Sequence, residues 1–338
     1  MTAPLLEVTE LGVAFHTERG IVQAVDDVSF QVGEGEVLGI VGESGSGKSV
    51  TMLAIMNMVG GRHTRVSGHV LYRGDDLGAL SPAEMRALRG AEIAMIFQDP
   101  VRSLTPVYRV GWQIAEQIMA HEKVSRTDAR DRTLALMKAV GISAPELRID
   151  HYPHQFSGGM LQRVTIAMAL SCRPRLLIAD EPTTALDVTI QAAVLGLLMR
   201  LRRELGLSVV LITHDMGVIA EVADRVLVMY AGRVVEDAPT RQVFTDPQHP
   251  YTWGLLGAMP RLDRPRSIRM QPIPGVPPSL IDLPVGCSFR PRCSHRFGKC
   301  MERPALVDRL GDGHRDACHL DTAEKRSAAA RPEVAIHE

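Results

Sequence analysis

A stretch rich in glycine, serine and lysine gives the strongest chemical signal in this sequence. Residues 42–49 are GESGSGKS and fit the pattern G-x-x-x-x-G-K-S/T. Glycines let backbone N–H groups close around phosphate oxygens, and a helix that begins there adds its positive N-terminal end. The stretch lies between an apolar strand pattern, EVLGIVG, and a helical pattern, SVTMLAIMNMV. It predicts a nucleotide site formed by Gly42, Glu43, Ser44, Gly45, Ser46, Gly47, Lys48 and Ser49.

Two side chains of this loop have separate expected roles. Lys48 would reach the β- and γ-phosphates of a nucleotide, and Ser49 would bind Mg²⁺ through its hydroxyl group. The loop therefore predicts ATP as the ligand and Mg²⁺ as the accompanying metal ion.

Two adjacent carboxylates follow an apolar run later in the chain. The run, LLIA at 176–179, is typical of a central parallel strand that is buried on both faces. Asp180 follows at the carboxyl end of this strand, where open α/β sheets bind ligands, and is expected to contact Mg²⁺ directly or through water. Glu181 is placed to orient or deprotonate the attacking water. The pair therefore predicts ATP hydrolysis.

A serine and two glycines begin another predicted helix. The segment contains Ser157, Gly158, Gly159 and Met160, followed by Gln162 and Arg163. Such a helix start is a second anion-binding N-terminus, and one chain needs no second phosphate site so far from the first. At this point the sequence resembles the ABC ATPase family, whose signature motif is similar. The resemblance implies that the signature of one protomer completes the ATP site of the other.

The resemblance to ABC ATPases covers about residues 5–240. It departs from the family pattern mildly, because Phe156 stands where Leu is usual and Met160 stands where Gln is commoner. It implies that Phe15 stacks on adenine. It also implies that Gln98 senses Mg²⁺ as a ligand and relays the signal to membrane subunits.

Two further positions match the family in order. The loop Ala185-Leu186-Asp187 matches the one that lines the dimer interface, and Asp187 is its polar member. His214 follows the strand pattern VVLIT and matches the histidine that contacts the γ-phosphate and steadies the catalytic carboxylate. With Glu181, Gln98 and His214 all present, the resemblance implies a catalytically competent half-site.

The remaining motifs narrow the family. The segments FQDPVRSLTPVYRVG, HPYTWGLLGAMPR and GCSFRPRCSHRFGKC, with a later ACH, are similar to the ATPases of oligopeptide and dipeptide importers. Thr105 replaces the usual Asn, and the similarity extends to about residue 320. It implies ATP hydrolysis coupled to peptide import at the cytosolic face of a membrane complex. The implied partners are two permeases, a second ABC ATPase (a paralogue favoured over a second copy) and an extracytoplasmic peptide-binding protein.

Four of the five cysteines lie in one C-terminal stretch, namely Cys287, Cys293, Cys300 and Cys318. In a reducing cytosol such a cluster favours a metal over disulfides. The spacing lacks the close C-x2-4-C pair that is usual in structural zinc sites. Four thiolates can also hold a 4Fe–4S cluster, and the family resemblance makes this the first expectation. Zinc and free or oxidised thiols remain alternatives.

The pattern along the chain predicts an α/β fold with a P-loop core, and the resemblance implies that this is an ABC ATPase core. Alternating and β-branched segments indicate an N-terminal antiparallel β region, and residues from about 99 to 173 indicate an inserted helical subdomain. After about residue 240 prolines become frequent and no core is evident. We therefore expect an ATPase domain over 1–240 and a loop-rich, cysteine-containing extension over 241–338 that ends in a frayed tail.

Composition limits the partners and the location. The chain has 338 residues and a net formal charge of −1, which gives no electrostatic argument for nucleic acid as a partner. No apolar run reaches the roughly 18 residues that span a bilayer, and the N-terminus lacks the pattern of a secretory signal. The chain is therefore expected to be cytosolic unless a partner holds it at a membrane, and the family resemblance implies a peripheral position at the cytoplasmic face of the membrane.

Two alternative functions remain open from the sequence. The same ATPase could serve import of another small solute, such as nickel or glutathione, because other subunits choose the cargo. A soluble ABC ATPase that acts on ribosomes or DNA is the other alternative. Such proteins typically carry two ATPase domains or a long coiled-coil insertion, and this chain has one phosphate loop.

Overall fold

The computed structural model describes residues 3–184, 187–259, 273–309 and 311–328. The strands are β1 (Leu6–Thr17), β2 (Gly20–Val32), β3 (Val37–Val41), β4 (Thr64–Tyr72), β5 (Asp75–Asp76), β6 (Ile93–Ile96), β7 (Leu176–Asp180), β8 (Ser208–Ile212), β9 (Arg225–Tyr230), β10 (Arg233–Pro239), β11 (Val307–Asp308) and β12 (Arg315–Asp316). The helices are α1 (Lys48–Ile55), α2 (Pro82–Leu88), α3 (Pro100–Ser103), α4 (Val110–His121), α5 (Arg126–Ala139), α6 (Pro145–Arg148), α7 (Gly158–Ala169), α8 (Val188–Leu205), α9 (Met216–Val222), α10 (Thr240–Thr245), α11 (Pro250–Gly257) and α12 (Thr322–Ala328). Within the described ranges, none of these helices has both the length and the apolar character needed to cross a bilayer.

The chain divides into two compact units. The first unit contains Met1–Val32, Glu36–Gly78 and Thr213–Glu338, and the second contains Gly33–Gly35 and Ala79–Ile212. The first unit thus includes the N-terminal strands together with the C-terminal extension. The expected boundary near residue 240 stays a prediction.

An antiparallel sheet begins the first unit. Its strand order is β2-β1-β4-β5, and β1 pairs with both β2 and β4. Val8, Val28 and Val70 are buried side chains on these three strands, and β-branched residues of this kind favour the pleated, half-buried surface of a sheet. The predicted N-terminal antiparallel β region is confirmed.

The first unit also contains strands of a second sheet. β3 runs parallel to β9, and β9 and β10 form an antiparallel hairpin. The hairpin turn is Ala231–Gly232, where φ is 48° and 81°, and positive φ at both central positions matches the twist of the strands. β12 pairs with β10, and β11 pairs with β12. Two short strands of the extension therefore continue this sheet.

The second unit combines three parallel strands with a helical region. β7 lies between β6 and β8, and every residue of β7 and β8 is buried. This burial explains why both strands are continuous apolar runs in the sequence. Helices α3 to α7 follow β6 between residues 100 and 169, which agrees with the helical region expected from about 99 to 173.

The extension has a core that its sequence did not reveal. Tyr251 of α11 is fully buried against Tyr230 of β9 and Phe289. The three ring centroids lie 4.6 to 5.4 Å apart. The expectation of an extension without an evident core was therefore wrong. These aromatic residues come from three separate segments, so no single stretch of sequence shows the cluster.

Two buried carboxylates, one beside the extension and one within it, form hydrogen bonds to residues of the extension. Glu236 of β10 is hydrogen-bonded to His314 Nε2 at 2.7 Å and to the His249 N–H group at 3.0 Å. Asp316 of β12 accepts a hydrogen bond from the buried Lys325 ammonium at 2.6 Å. Lys325 lies in α12, which makes residues 322–328 helical. The prediction of a frayed tail was therefore wrong for these residues. Residues 329–338 of that tail lie outside the described residues.

Candidate active site

The phosphate loop, residues 42–49, lies between the buried strand β3 and helix α1. Gly42, Gly45 and Gly47 have φ values of 156°, 77° and 101°. A Cβ atom would lie 2.2 Å from the Met229 carbonyl oxygen at Gly42, and 2.5 Å from the Ala24 carbonyl oxygen at Gly47. Neighbouring backbone thus excludes a side chain at both positions. No side chain among the described residues caps α1, so its first N–H groups suit phosphate oxygens.

Lys48 lies near the end of this loop, as the first residue of α1, and is 6% exposed. Its ammonium group donates to the carbonyl oxygens of Gly42 and Glu43 at 2.7 and 3.0 Å. Ser46 is also buried, and its hydroxyl oxygen has no hydrogen-bond partner in the part of the chain that the structure describes. A buried hydroxyl without a protein partner fits a loop that binds a polar ligand. Ser49 is half-buried at the start of α1.

Two residues of the extension contact this loop, and sequence analysis did not identify them. The Glu43 carboxylate accepts two hydrogen bonds from Arg292, and the Glu43 N–H group donates to the Tyr251 hydroxyl oxygen at 2.8 Å. The two contacts join positions 249 and 208 residues apart. Both residues lie in segments that the sequence marked only as family motifs, and no spacing rule predicted that they contact Glu43.

In the second unit, β7 ends at the first of the two predicted carboxylates, Asp180, and the second, Glu181, follows directly. Asp180 is 5% exposed, and Glu181 has a φ of 47°. Left-handed backbone is uncommon for a residue other than glycine and clusters at functional sites. Glu181 Oε2 accepts hydrogen bonds from Gln98 Nε2 at 3.0 Å and from the Thr184 hydroxyl at 2.8 Å.

These two hydrogen bonds have chemical consequences for both partners. They fix the orientation of the Glu181 carboxylate. A carboxylate that positions a water molecule for attack needs such a fixed orientation. They also place the amide nitrogen of Gln98 on Glu181, so the amide oxygen of Gln98 is the atom suited to a cation. The sequence proposed separate roles for Gln98 and Glu181, and the structure brings them together. Thr184 was not identified from the sequence.

The signature segment begins α7 in the second unit. Ser157 is the N-cap residue, and its side chain forms no capping hydrogen bond within the described residues. Ser157 and Gly158 are exposed, whereas Gly159 is buried and Met160 is half-buried. A Cβ atom at Gly159 would lie 2.9 Å from Cγ2 of Ile190, so the helix packs closely there. The helix start therefore faces solvent with a hydroxyl group and backbone N–H groups.

The other predicted positions lie on a strand or in loops. Phe15 is half-buried on β1, and His214 is exposed between β8 and α9. Like the phosphate loop, both belong to the first unit. Asp187 caps α8, because its Oδ1 accepts the N–H of Ile190 at 2.9 Å. Residues 185 and 186 of the predicted interface loop lie outside the described residues.

The four clustered cysteines line one small cavity with a volume of about 10 Å³. The Cys287 N–H group donates to the Cys300 carbonyl oxygen at 3.0 Å. Burial raises the pKa of Cys287 and Cys293, and it raises the pKa of Cys318 to about 12. The cavity has room for about one water molecule, which is less than a 4Fe–4S cluster needs. Among the described residues, no group of three or more His, Cys, Asp or Glu is placed to hold a metal ion.

Two family models match the sequence. The model described as ABC transporter matches residues 25–184, and the model described as oligopeptide/dipeptide transporter, C-terminal region, matches residues 235–300. The first match contains the phosphate loop, the signature segment and the two carboxylates. The second contains Tyr251, Arg292 and three of the clustered cysteines.

Named relatives match along nearly the whole chain. The probable peptide ABC transporter ATP-binding protein y4tR of Sinorhizobium fredii is 50% identical over 315 residues, which are 93% of this chain and 94% of that protein. The oligopeptide transport ATP-binding protein OppD of Bacillus subtilis is 50% identical over 92% of this chain and 87% of its own length. The dipeptide transport ATP-binding protein DppD of Escherichia coli is 48% identical over 94% of this chain and 98% of its own length.

A solved structure supports the same relationship. The dimeric ATP-binding cassette MJ0796, in a post-hydrolysis state with ADP and Pi, superposes with a TM-score of 0.63 and 28% identity. The match covers 70% of this chain and 99% of that one. The chain therefore belongs to the ABC ATPase family, within the group of ATP-binding proteins of oligopeptide and dipeptide transporters.

Proposed function

We propose that this chain binds and hydrolyses ATP to power the import of dipeptides or oligopeptides through a membrane ABC transporter complex. The observation that carries the proposal is the match, over 92% to 94% of the chain, with proteins named as peptide transport ATP-binding proteins. The phosphate loop and the hydrogen-bonded pair of Glu181 and Gln98 support the hydrolytic part.

ATP binds first, with its phosphates at residues 42–49. Lys48 donates charge-assisted hydrogen bonds to the β- and γ-phosphates, and Phe15 stacks on the adenine ring. The hydroxyl of Ser49 and the amide oxygen of Gln98 are hard oxygen donors that suit Mg²⁺, with Asp180 as a further contact. When bound, this ion neutralises charge on the phosphates.

Hydrolysis follows at the γ-phosphate. Glu181 takes a proton from water, the water oxygen forms a bond to the γ-phosphorus, and the bond to the β-phosphate oxygen breaks to leave ADP and phosphate. The hydrogen bonds from Gln98 and Thr184 orient the Glu181 carboxylate for this step before substrate binds. His214 contacts the γ-phosphate and steadies Glu181.

The signature segment acts on ATP held by another ATPase chain. Ser157 and Gly158 are exposed, which supports contact with a phosphate outside their own chain. The relative MJ0796 is dimeric in a state bound to ADP and Pi. By analogy, this chain pairs with a second ABC ATPase, a paralogue in preference to a second copy, and Asp187 lies at their interface.

The whole complex comprises further subunits. Two permeases form the membrane pathway, and an extracytoplasmic peptide-binding protein delivers the substrate. The chain lies at the cytoplasmic face of the membrane as a peripheral subunit, and Gln98 relays the state of the ATP site to the permeases. No nucleic acid is involved.

We also propose that Cys287, Cys293, Cys300 and Cys318 hold a 4Fe–4S cluster, with zinc as the alternative. The support is that all four residues line one cavity, although the cavity must widen to accept a cluster. Protein purified without oxygen should contain about four irons per chain. Cys293→Ser should remove this iron, and Cys172→Ser, at the cysteine outside the cluster, should not. Stoichiometric zinc would replace the iron assignment, and absence of both metals would reject the site.

The transport function can be tested on a reconstituted complex. The chain is assembled in proteoliposomes with two permeases and a second ATPase, and ATP hydrolysis is measured after addition of the binding protein. We expect dipeptides or oligopeptides to stimulate hydrolysis and to accumulate inside. Nickel and glutathione serve as competing cargoes. Stimulation by one of them, with none by peptides, would replace the proposed substrate class.

A further inference from the structure

The extension contacts the phosphate loop through a buried arginine. Arg292 immediately precedes Cys293 in the chain, and its side chain is 4% exposed. Its Nη1 and Nη2 groups donate to Oε2 and Oε1 of Glu43 at 2.6 and 3.0 Å. Two parallel hydrogen bonds of this kind give the strongest and most directional contact between an arginine and a carboxylate. Arg292 therefore fixes the side chain of the second residue of the loop.

Other contacts keep Arg292 in one place. Its Nε donates to the Pro274 carbonyl oxygen at 2.8 Å, and its guanidinium carbon lies 5.8 and 5.9 Å from the ring centroids of Tyr230 and Phe289. The hydrogen bonds with Glu43 raise the pKa of Arg292 further above its ordinary value. Moving the Glu43 carboxylate away would leave the buried charge of Arg292 without its counter-ion, which is strongly destabilising. The surroundings of Arg292 therefore favour one position of Glu43.

A second residue of the extension holds the backbone of Glu43. The Tyr251 hydroxyl oxygen accepts the Glu43 N–H at 2.8 Å. Tyr251 is fully buried and packs on Tyr230 and Phe289, the same rings that lie beside Arg292. One aromatic cluster therefore supports both groups that contact Glu43.

Glu43 connects these residues to the lysine of the loop. Its carbonyl oxygen accepts hydrogen bonds from Lys48 Nζ at 3.0 Å and from the Ser46 N–H at 3.2 Å. A displacement of Glu43 would therefore move the ammonium group and a backbone amide of the loop that binds phosphate.

We propose that Arg292 and Tyr251 are positioning residues for ATP: they hold Glu43, and through it Lys48, in the conformation that binds the phosphates. This inference rests on the proposed ATP site at residues 42–49. ATP affinity then depends on the order of the extension around Arg292. Because coupling between two sites is reciprocal, ATP binding must also stabilise that part of the extension. The competing explanation is that the ion pair only attaches the extension to the rest of the first unit.

The test is the ATP affinity of full-length chains that carry Arg292→Lys or Tyr251→Phe. Lysine keeps the charge without the paired hydrogen bonds, and phenylalanine keeps the ring without the acceptor oxygen. We expect Arg292→Lys to raise the ATP dissociation constant about fivefold or more, and Tyr251→Phe to raise it in the same direction. In the assembled complex, KM for ATP should rise while kcat stays within about twofold, because Glu181 is unchanged.

Arg303→Lys is the matched control. Arg303 also joins the extension to a carboxylate of the N-terminal sheet, because it donates to Asp27 at 2.9 Å. Among the described residues, its hydrogen bond and ion pairs are with Asp26 and Asp27 and not with the loop. This variant should bind ATP like the wild type. A fivefold loss in Arg303→Lys as well would show general loosening and would overturn the inference.

A second readout uses hydrogen exchange of the amides in residues 287–301. ATP should slow this exchange in the wild type and should not in Glu43→Gln, which weakens the connection to Arg292. Unchanged ATP affinity in both Arg292→Lys and Tyr251→Phe, with exchange insensitive to ATP, would overturn the inference. A wild-type chain that binds no ATP would overturn the proposed function instead.

Discussion

The phosphate loop and the signature segment are both glycine-rich starts of helices, but their surroundings differ. In the phosphate loop Lys48 is buried, and the Glu43 carboxylate accepts two hydrogen bonds from Arg292 of the extension. In the signature segment Ser157 and Gly158 are exposed. The Ser157 hydroxyl also forms no capping hydrogen bond to any residue that the structure describes.

This difference indicates which loop can bind nucleotide in the isolated chain. A loop that its own chain already holds in place loses little freedom when a ligand binds, so affinity is gained by preorganisation. An exposed helix start has N–H groups that only solvent satisfies until another molecule arrives. The phosphate loop is therefore suited to bind ATP in its own chain, and the signature is suited to contact ATP of a partner.

The largest effect is expected at Glu181, which separates binding from chemistry. Glu181→Gln removes the proton acceptor and keeps the shape, so turnover of the assembled complex should fall by about 10²- to 10⁴-fold. ATP affinity should stay close to that of the wild type, because the phosphate loop is unchanged. Steady-state ATPase assays and nucleotide titrations measure the two quantities. Near-normal turnover would remove Glu181 from its proposed role.

A smaller loss of turnover is expected from Ser157→Arg, which blocks the exposed helix start. Loss of one donor aimed at the transition state costs roughly 10²-fold in rate, so turnover of the complex should fall by that order. His154→Arg is the control, because it adds the same charge at an exposed residue three positions earlier. Equal turnover in the two variants would contradict a specific role for the signature.

The smallest effect is expected on the free energy of unfolding when the pH is lowered. It should act through residues of the extension that support the phosphate loop. His249 Nδ1 accepts the Tyr251 N–H at 3.1 Å, and burial lowers the pKa of His249 from 6.5 to about 3. The unfolded chain takes up a proton near pH 6.5 that the folded chain excludes, so this contribution to stability declines as pH falls from 6.5 towards 3. At about pH 5 the free energy of unfolding should fall by about 2 kcal/mol, with weaker ATP binding. Denaturant titrations at two pH values measure the change.

His249→Asn is the control for this prediction. Asparagine keeps an acceptor at the start of α11 and does not titrate, so the variant should lose much of the pH dependence. His314 acts in the opposite direction: burial would lower its pKa, but the hydrogen bond with Glu236 raises it overall, so acidification favours its folded state. A variant with the full wild-type pH dependence would exclude His249 as the cause.

The features that were predicted best from the sequence are those that depend on residues adjacent in the chain. The apolar run at 176–179 forms β7 with the carboxylates at its end, and the glycines at 42 and 47 lie where backbone excludes a side chain. The contact of Arg292 with Glu43 spans 249 positions, and Arg292 lies among prolines without periodicity. The spacing of the cysteines likewise indicated a shared location but not a cavity of about 10 Å³.

The ATP dissociation constant of the isolated full-length chain tests the comparison most directly when Lys48→Ala and Ser157→Arg are measured side by side. Lys48→Ala removes the ammonium group of the phosphate loop and should raise the constant by roughly 100-fold, which corresponds to about 2.7 kcal/mol. Ser157→Arg should leave the constant at its wild-type value, because we propose that the signature contacts ATP only in a partner. A comparable loss of affinity in Ser157→Arg would contradict the account, because the signature would then contribute to binding in its own chain.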